Sequence, residues 1–195
     1  MKLAGVIILC YLIGSIPFSY IFTRLFTKQD IRKKGSGNVG ATNVLRTSGP
    51  ALAAPALLGD LFKGVAAGFI ALHFGAWPYI IFCSLAVVLG HCYPVALKFK
   101  GGKGVATAAG VVLVFMPLVL GILALIFVAT IIITRYVSMG SITGALFLPV
   151  LIIATGKPWP YLVAGSLMCL LVVYRHRENI LRLRRGTESK INQRV

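Results

Sequence analysis

Acidic residues are scarce in this sequence, and charged residues of either sign are few. Among 195 residues, 4 are Asp or Glu and 20 are Lys or Arg, and charged residues make up 12% of the chain. A soluble domain carries about 25% charged residues. This shortage of charge excludes an ordinary soluble domain, and it leaves few carboxylates that could serve as a general base.

Paired cysteines are also missing. The four cysteines lie in or at the ends of apolar runs, and none has C-x-x-C spacing: Cys10, Cys83, Cys92 and Cys169. We interpret them as small core residues. The spacing gives no basis for a disulfide framework or a cysteine metal site. We therefore expect no metal and no cofactor.

Long apolar runs are abundant, and hydrophobic residues make up 58% of the chain. Five runs are apparent, at 3–23, 51–74, 76–97, 141–156 and 158–174. A sixth and much longer run extends from Gly104 to Thr134. Runs of this kind predict membrane-spanning helices. The first run lacks a signal-peptide cleavage pattern, so we expect it to be retained as a span. The predicted fold is an all-α, multi-pass membrane protein with one domain over residues 1–195.

The positions of the basic residues predict the topology. Segment 24–49 carries Arg24, Lys28, Arg32, Lys33, Lys34 and Arg46, which indicates a cytoplasmic loop and an N-terminus outside. The C-terminal segment is also basic, with Arg175, Arg177, Arg182, Arg184, Arg185, Lys190 and Arg194. It reaches the cytoplasm only if the 104–134 run crosses twice, and the proline in Met116–Pro117 supplies a break.

Seven spans result, with the C-terminus in the cytoplasm. The two halves of the 104–134 run would each rise only about 22 Å, less than the hydrocarbon thickness of about 30 Å. We therefore expect some spans to be short or bent. Five spans, with some short runs re-entrant, remain the alternative.

The segment "GSGNVGATNVLR" (35–46) has the G-x-G-x-x-G spacing of a dinucleotide-binding turn. That fold needs a preceding apolar strand, whereas "TKQDIRKK" precedes it here. We interpret the segment as a different anion-binding loop, with glycines for close approach and Arg46 for forked hydrogen bonding to an anion. Its candidate binding residues are Gly35, Ser36, Gly37, Asn38, Thr42, Asn43 and Arg46. A glycine-rich turn between two helices is the alternative.

The segment "HCYPVALKFKGGKGVAT" (91–107) places a Gly-Gly-Lys-Gly turn before an apolar helix. Amides at a helix N-terminus, the helix dipole and a lysine favour an anion. The candidates are Gly101, Gly102, Lys103 and Gly104. Gly104 stands where a P-loop has Ser or Thr, so ATP hydrolysis is not expected. The alternative is a flexible basic loop on anionic lipid.

A third group combines "RYVSMGSITG" (135–144) with the C-terminal segment 174–189. Ser138 and Ser141 lie at a helix start, where hydroxyl groups cap helices or bind anions. His176 and Asn179 are three residues apart and share a helical face. Glu178 lies among arginines and is expected to form a structural ion pair.

Ionisable residues also occur inside the predicted spans. Asp60 and Lys63 have i, i+3 spacing, which allows a structural salt bridge within the membrane. His91 ends an apolar run, and we expect a hydrogen-bonded helix-end residue in preference to a ligand contact. His73 lies near the opposite end of its run, and we assign it no role.

Together these motifs resemble the bacterial acyl-phosphate:glycerol-3-phosphate acyltransferases, the PlsY family. The resemblance rests on "GSGNVGATN" with Arg46, "GDLFKG", "HCYPVALKFKGGKGVAT", "RYVSMGSI" and the segment from "RHRENI" to "GTE", and it covers nearly the whole chain. It implies the transfer of an acyl group from acyl phosphate to glycerol 3-phosphate, giving lysophosphatidic acid and phosphate. In the family this is the first acylation of bacterial phospholipid synthesis.

The resemblance also implies roles and partners. Residues important for activity in the family match Ser36 and Arg46, and its glycerol-3-phosphate loop matches Gly101–Gly104. Its site histidine and asparagine match His176 and Asn179, and a structural glutamate matches Glu178. With Lys103, the catalytic candidates are Ser36, His176 and Asn179. The expected partners are acyl phosphate, glycerol 3-phosphate and membrane lipid, with no nucleic acid. The expected location is the bacterial inner membrane, with the site facing the cytoplasm.

The mechanism and the rival class leave alternatives open. Acyl phosphate is already activated, so we expect direct attack by the acceptor hydroxyl, with either His176 or a substrate phosphate taking the proton. A Ser36 nucleophile is a third option. A transporter for organophosphate anions is the rival class, but it should place charges along a path through the bilayer.

Overall fold

The structure, a computed structural model, describes residues 2–191, and the regular elements in this range are all helices, without strands. Met1 and residues 192–195, among them Arg194 of the basic C-terminal segment, lie outside the described residues. The α-helices are α1 Lys2–Gly14, α2 Phe18–Thr27, α3 Ala41–Ser48, α4 Pro50–Phe74, α5 Trp77–Cys92, α6 Val105–Phe115, α7 Pro117–Thr134, α8 Val137–Ala154, α9 Trp159–Arg175 and α10 Arg177–Arg184. Two short 3₁₀ turns, Ile31–Lys33 and Val95–Leu97, complete the described elements.

Five helical segments are long and apolar enough to cross a membrane: Lys2–Thr27, Pro50–Phe74, Trp77–Leu97, Pro117–Thr134 and Val137–Ala154. Helices α6 and α9 are apolar but shorter. The long predicted run does break where expected, because α6 ends at Phe115 and α7 begins at Pro117. Proline fits the first position of a helix, where its missing N–H is not needed. The prediction of an all-α, multi-pass fold is confirmed.

The first span is interrupted, and a lysine from another helix closes the break. Helix α1 ends at Gly14 and α2 begins at Phe18. The end of a helix leaves carbonyl groups without intrahelical partners. The Lys63 ammonium group on α4 donates to the carbonyls of Gly14 and Ile16 at 3.0 and 2.9 Å. The break therefore depends on a buried charge.

Helices α4 and α6 approach closely through glycines. A Cβ atom on Gly64 would overlap the carbonyl oxygen of Thr107, and one on Gly110 would overlap that of Leu61. Small residues let membrane helices pack backbone to backbone. At this contact Thr107 Oγ1 donates to the carbonyl of Asp60 at 3.0 Å. This packing fixes one wall of the cavity described below.

The segment after α10 folds back over the ends of other helices. The amide of Ile191 donates to the carbonyl of Arg135 at 2.9 Å, and Arg46 Nη2 donates to the carbonyl of Ser189 at 2.9 Å. Residues 187–191, which we call the C-terminal strap, thus connect α3 with the start of α8.

Candidate active site

One cavity, of about 450 Å³, brings the three sequence motifs together. Its polar end is lined by Ser36, Asn38, Thr42, Asn43, Arg46, Lys103, Ser138, Ser141, His176, Asn179 and Glu188. Its remaining wall is mainly apolar, comes from α4 to α9 and also includes Asp60 and His91. Segments that are far apart in the sequence therefore form one cavity with a charged end and an apolar end.

The first motif is a tight loop organised by one asparagine. Asn43 is buried; its Oδ1 accepts from the amide of Ser36 at 3.0 Å, and its Nδ2 donates to the carbonyls of Lys34 and Asn38 at 3.0 Å. Gly35 has φ +54°, and a Cβ there would overlap Asn43 Oδ1. The side-chain amide of Asn43 thus shapes the loop, and because Asn43 also lines the cavity, its role in binding stays a prediction.

Ser36 and Arg46 keep unused donors at the cavity. Ser36 is exposed and its hydroxyl group forms no hydrogen bond with the other described residues, whereas Arg46 Nε is buried without an acceptor. A buried donor without a partner costs about 1–3 kcal/mol. These groups are suited to an anionic ligand, which would supply the missing acceptor.

A hydrogen-bonded chain connects Lys103 to the C-terminal strap. Lys103 Nζ donates to Asn179 Oδ1, and Asn179 Nδ2 donates to Glu188 Oε1 at 2.7 Å. Burial lowers the pKa of Lys103 from 10.5 to about 8, with the nearby Arg182 contributing in the same direction. A lysine in this environment binds an anion more favourably, because the anion restores the stability of its charged form.

Glu188 accepts from several groups at once. Besides Asn179, Ser138 Oγ donates to its Oε1 at 2.8 Å and Arg182 Nε donates to its Oε2 at 2.7 Å. Burial alone would raise the pKa of Glu188, but these hydrogen bonds, with Arg182 first, hold it below its ordinary value. Glu188 is therefore an ionised acceptor that fixes the polar end of the cavity.

His176 lies between α9 and α10 and is buried. Its Nδ1 is 2.7 Å from the carbonyl oxygen of Val172. A carbonyl only accepts, so we assign the proton to Nδ1 and a free lone pair to Nε2. Burial, followed by the charge of Lys103, lowers the pKa of His176 to about 4. The ring is neutral at pH 7 and can accept a proton.

Gly101 and Gly102 differ from the expectation. Their amides donate to the carbonyls of Cys92 and His91 at 3.1 Å, and neither residue lines the cavity. A Cβ on Gly102 would overlap the His91 ring. The expectation that these two amides bind an anion directly is therefore wrong. The glycines instead allow the loop to pack closely against the end of α5. Lys103 and Gly104 do reach the cavity.

The salt bridge expected inside the membrane is present. Lys63 Nζ is 2.8 Å from Asp60 Oδ1, and both side chains are buried. His91 joins them, with its Nδ1 3.0 Å from Lys63 Nζ and 3.4 Å from Asp60 Oδ1. We call Asp60, Lys63 and His91 the intramembrane cluster. The sequence indicated the pair, but it gave no sign that a histidine 28 residues later completes it.

One further expectation at the third motif needs correction. Glu178 is exposed and forms no ion pair within residues 2–191; Glu188 forms one instead, with Arg182. The Ser141 hydroxyl group donates to the carbonyl of Val137 at 3.0 Å within its own helix and also lines the cavity, so its role in binding stays a prediction. Glu188 stands in the "GTE" segment, ten residues beyond Glu178, and spacing alone did not distinguish the two.

Comparison with known proteins decides the family. A family model described as glycerol-3-phosphate acyltransferase matches residues 4–186. The chain belongs to this acyltransferase family. A glycerol-3-phosphate acyltransferase of Syntrophomonas wolfei subsp. wolfei is 59% identical over 195 residues and covers 100% of both chains. One of Carboxydothermus hydrogenoformans is 41% identical, over 96% of this chain and 95% of the relative.

Solved structures of the family have the same fold. A crystal structure of PlsY, an integral membrane glycerol 3-phosphate acyltransferase in its glycerol 3-phosphate form, superposes with a TM-score of 0.93 at 39% identity. The match covers 97% of this chain and 96% of that one. The lysophosphatidic acid form gives 0.91 at 38% identity, over 99% and 97%. The predicted resemblance to PlsY is confirmed, and the chain is an integral membrane acyltransferase.

Proposed function

We propose that the protein transfers an acyl group from an acyl phosphate to the 1-hydroxyl group of sn-glycerol 3-phosphate. The products are lysophosphatidic acid and inorganic phosphate, in the first acylation step of bacterial phospholipid synthesis. The observation that carries the proposal is the single cavity with a basic, hydrogen-bonding end and an apolar end. Such a space suits two phosphate groups beside one acyl chain.

The unused donors suggest how the two anions are held. The Ser36 hydroxyl group, on the loop that Gly35 and Gly37 shape, holds the phosphate of the acyl donor, and Arg46 Nε binds the acceptor. Lys103 holds the acceptor phosphate. Donors placed before the reaction stabilise developing charge without the cost of reorienting solvent. His176 and Asn179 lie beside Lys103 and position the acceptor, while Asn38, Thr42 and Gly104 complete the lining.

The reaction needs no covalent enzyme intermediate. The acceptor hydroxyl oxygen attacks the acyl carbonyl carbon, a C–O ester bond forms, the bond from acyl carbon to phosphate oxygen breaks, and phosphate leaves. The hydroxyl proton goes to His176 Nε2 or to a substrate phosphate oxygen. Within the described residues the Ser36 hydroxyl group has no hydrogen-bonded base, which favours direct attack over a serine nucleophile. An acyl-enzyme trapped with labelled acyl phosphate would reverse this preference.

The identity of the base is tested by His176→Gln, which removes the lone pair at Nε2. If His176 is the base, kcat at saturating substrates falls by about 10²–10⁴-fold. Near-normal turnover would assign the proton to a substrate phosphate. His73→Gln is the matched control, since His73 is exposed and does not line the cavity.

We further propose seven passes in one domain in the inner membrane, with the N-terminus outside and the site facing the cytoplasm. The polar end of the cavity includes residues of the basic loops, which the positive-inside tendency places in the cytoplasm. Alkaline phosphatase fused after Gly75 should be active, and fusions after Lys100 or at the C-terminus inactive. An active C-terminal fusion would indicate an even number of passes and contradict this topology, whereas an inactive fusion after Met116, between α6 and α7, would favour five spans.

A direct assay tests the function. Purified protein in detergent is given palmitoyl phosphate and glycerol 3-phosphate, and lysophosphatidic acid and phosphate are measured. We expect equal amounts of both products, and none with palmitoyl-CoA as donor. No product from the acyl phosphate, with no other protein present, would contradict the proposal. Uptake of glycerol 3-phosphate into proteoliposomes without acylation would support a transporter instead.

A further inference from the structure

The apolar end of the cavity is lined by residues on four helices. Val112 on α6, Leu120 on α7, Leu148 on α8 and Met168 on α9 line it far from the polar end. Along α8, Leu148 lies ten residues beyond Ser138, which corresponds to about 15 Å of helix. An acyl chain that starts at the polar end would lie along α8 toward Leu148.

One face of α8 forms a continuous wall of this space. The cavity-lining residues Ser141, Gly144, Ala145 and Leu148 follow i, i+3, i+4, i+7 spacing, which is one helical face. Gly144 lies between the polar end and the apolar end of that face. A side chain at this position would project into the passage between them.

Gly144 is not required by helix packing. An added Cβ would meet no atom within 4 Å, although the residue lines the cavity. Gly140, one turn away, is different, because a Cβ there would come within 3.0 Å of Phe127 and Ile131. Glycine inside a helix costs about 1 kcal/mol relative to alanine. The space beside Gly144 is therefore open cavity that any side chain would reduce.

We propose that Gly144 keeps the passage open to long acyl chains and so sets the acyl-chain preference of the enzyme. The inference rests on the proposed function, because it assigns the apolar end to the acyl group. A larger residue at position 144 would leave the polar end intact. Gly144 lies six residues beyond Ser138, about 9 Å of helix, so a larger residue there would narrow the passage where the distal carbons of a long chain lie.

The test is the chain-length profile of Gly144→Leu. We expect the ratio of kcat/KM for palmitoyl phosphate to that for octanoyl phosphate to fall by about tenfold or more, the size typical of steric discrimination in apolar pockets. Gly144→Ala should shift the ratio in the same direction by less, and it covers the case in which the leucine variant fails to fold. An equal loss for all donors, or no change, would overturn the inference.

Gly121→Leu is the matched control. Gly121 lies on α7, a Cβ there also meets nothing within 4 Å, and it does not line the cavity. Its profile should equal that of the wild type. Binding of long-chain and short-chain lysophosphatidic acid gives a second readout that needs no acyl phosphate. If the wild type used no acyl phosphate, the proposal that acyl phosphate is the donor would be wrong. If Gly144→Leu bound long-chain and short-chain lysophosphatidic acid in the same ratio as the wild type, the role of Gly144 would be refuted.

Discussion

The cavity and the intramembrane cluster each contain a buried lysine, and the two ammonium groups are used differently. Lys63 Nζ contacts Asp60, His91 and the carbonyls of Gly14 and Ile16, which satisfies its three donors. Lys103 Nζ donates to Asn179 and lines the cavity. A lysine whose partners all come from the protein stabilises the fold, whereas one that faces a cavity is available to a ligand.

The largest expected effect comes from Lys63→Met, which tests whether Lys63 serves the fold and not the reaction. The substitution leaves the Asp60 carboxylate buried without its ammonium partner and frees the carbonyl groups at the break in the first span. Removing one member of a buried ion pair costs about 3–5 kcal/mol. We expect thermal unfolding in detergent at a clearly lower temperature, and near-normal kcat in the fraction that remains folded.

Two further variants test the cause of this loss. Lys100→Met removes an exposed lysine and should leave stability unchanged. Adding Asp60→Asn to Lys63→Met removes the unpaired charge and should recover part of the stability. If Lys63→Met unfolded at the wild-type temperature, the cluster would not carry the structural role assigned to it.

The second prediction is the opposite result at Lys103. Lys103→Met removes the positive charge at the polar end of the cavity and should lower kcat/KM for glycerol 3-phosphate by about 10²–10³-fold, as loss of one preorganised donor does. The unfolding temperature should change little. Lys100→Met again serves as control, because it lies three residues away and is exposed. A loss of stability equal to that of Lys63→Met would remove the distinction between the two lysines.

The sequence predicted much of this architecture because its strongest signals are local. The lengths of the apolar runs predicted the helices, and Pro117 predicted the break between α6 and α7. The spacing of Asp60 and Lys63 gave their salt bridge, since both lie on one turn of the same helix. Such features depend only on neighbours in the chain, so pattern and propensity suffice.

The remaining features depend on contacts between distant segments. The sequence pattern correctly predicted a glycine loop at Gly101 and Gly102, but the prediction that its amides bind an anion was wrong. These amides donate to the carbonyls of Cys92 and His91, at the end of α5. Glu188 was missed because its partners Ser138 and Asn179 come from two other segments. No periodicity in the sequence records these contacts.

The third prediction separates the two glutamates of the C-terminal segment. Glu188→Gln removes the charge that accepts from Ser138, Asn179 and Arg182, and we expect a loss of about 1.5–3 kcal/mol in unfolding free energy. Glu178→Gln is the same chemical change at an exposed residue, and it should be neutral. Urea unfolding of both variants measures the difference. Equal stability would contradict the structural role given to Glu188.

The smallest expected effect is a change in pH dependence, and it follows from the lowered pKa of Lys103. Because burial brings this pKa down to about 8, the ammonium group loses its proton well below the ordinary value of 10.5. The kcat/KM for glycerol 3-phosphate should therefore fall by up to about tenfold per pH unit above that value. The substrate phosphate does not contribute to this decline, since its second pKa is about 6. Arginine stays charged throughout this range, so Lys103→Arg should have lower activity at neutral pH but no decline up to about pH 10. Lys100→Arg should keep the wild-type profile, and a decline that persists in Lys103→Arg would assign the titration to another group.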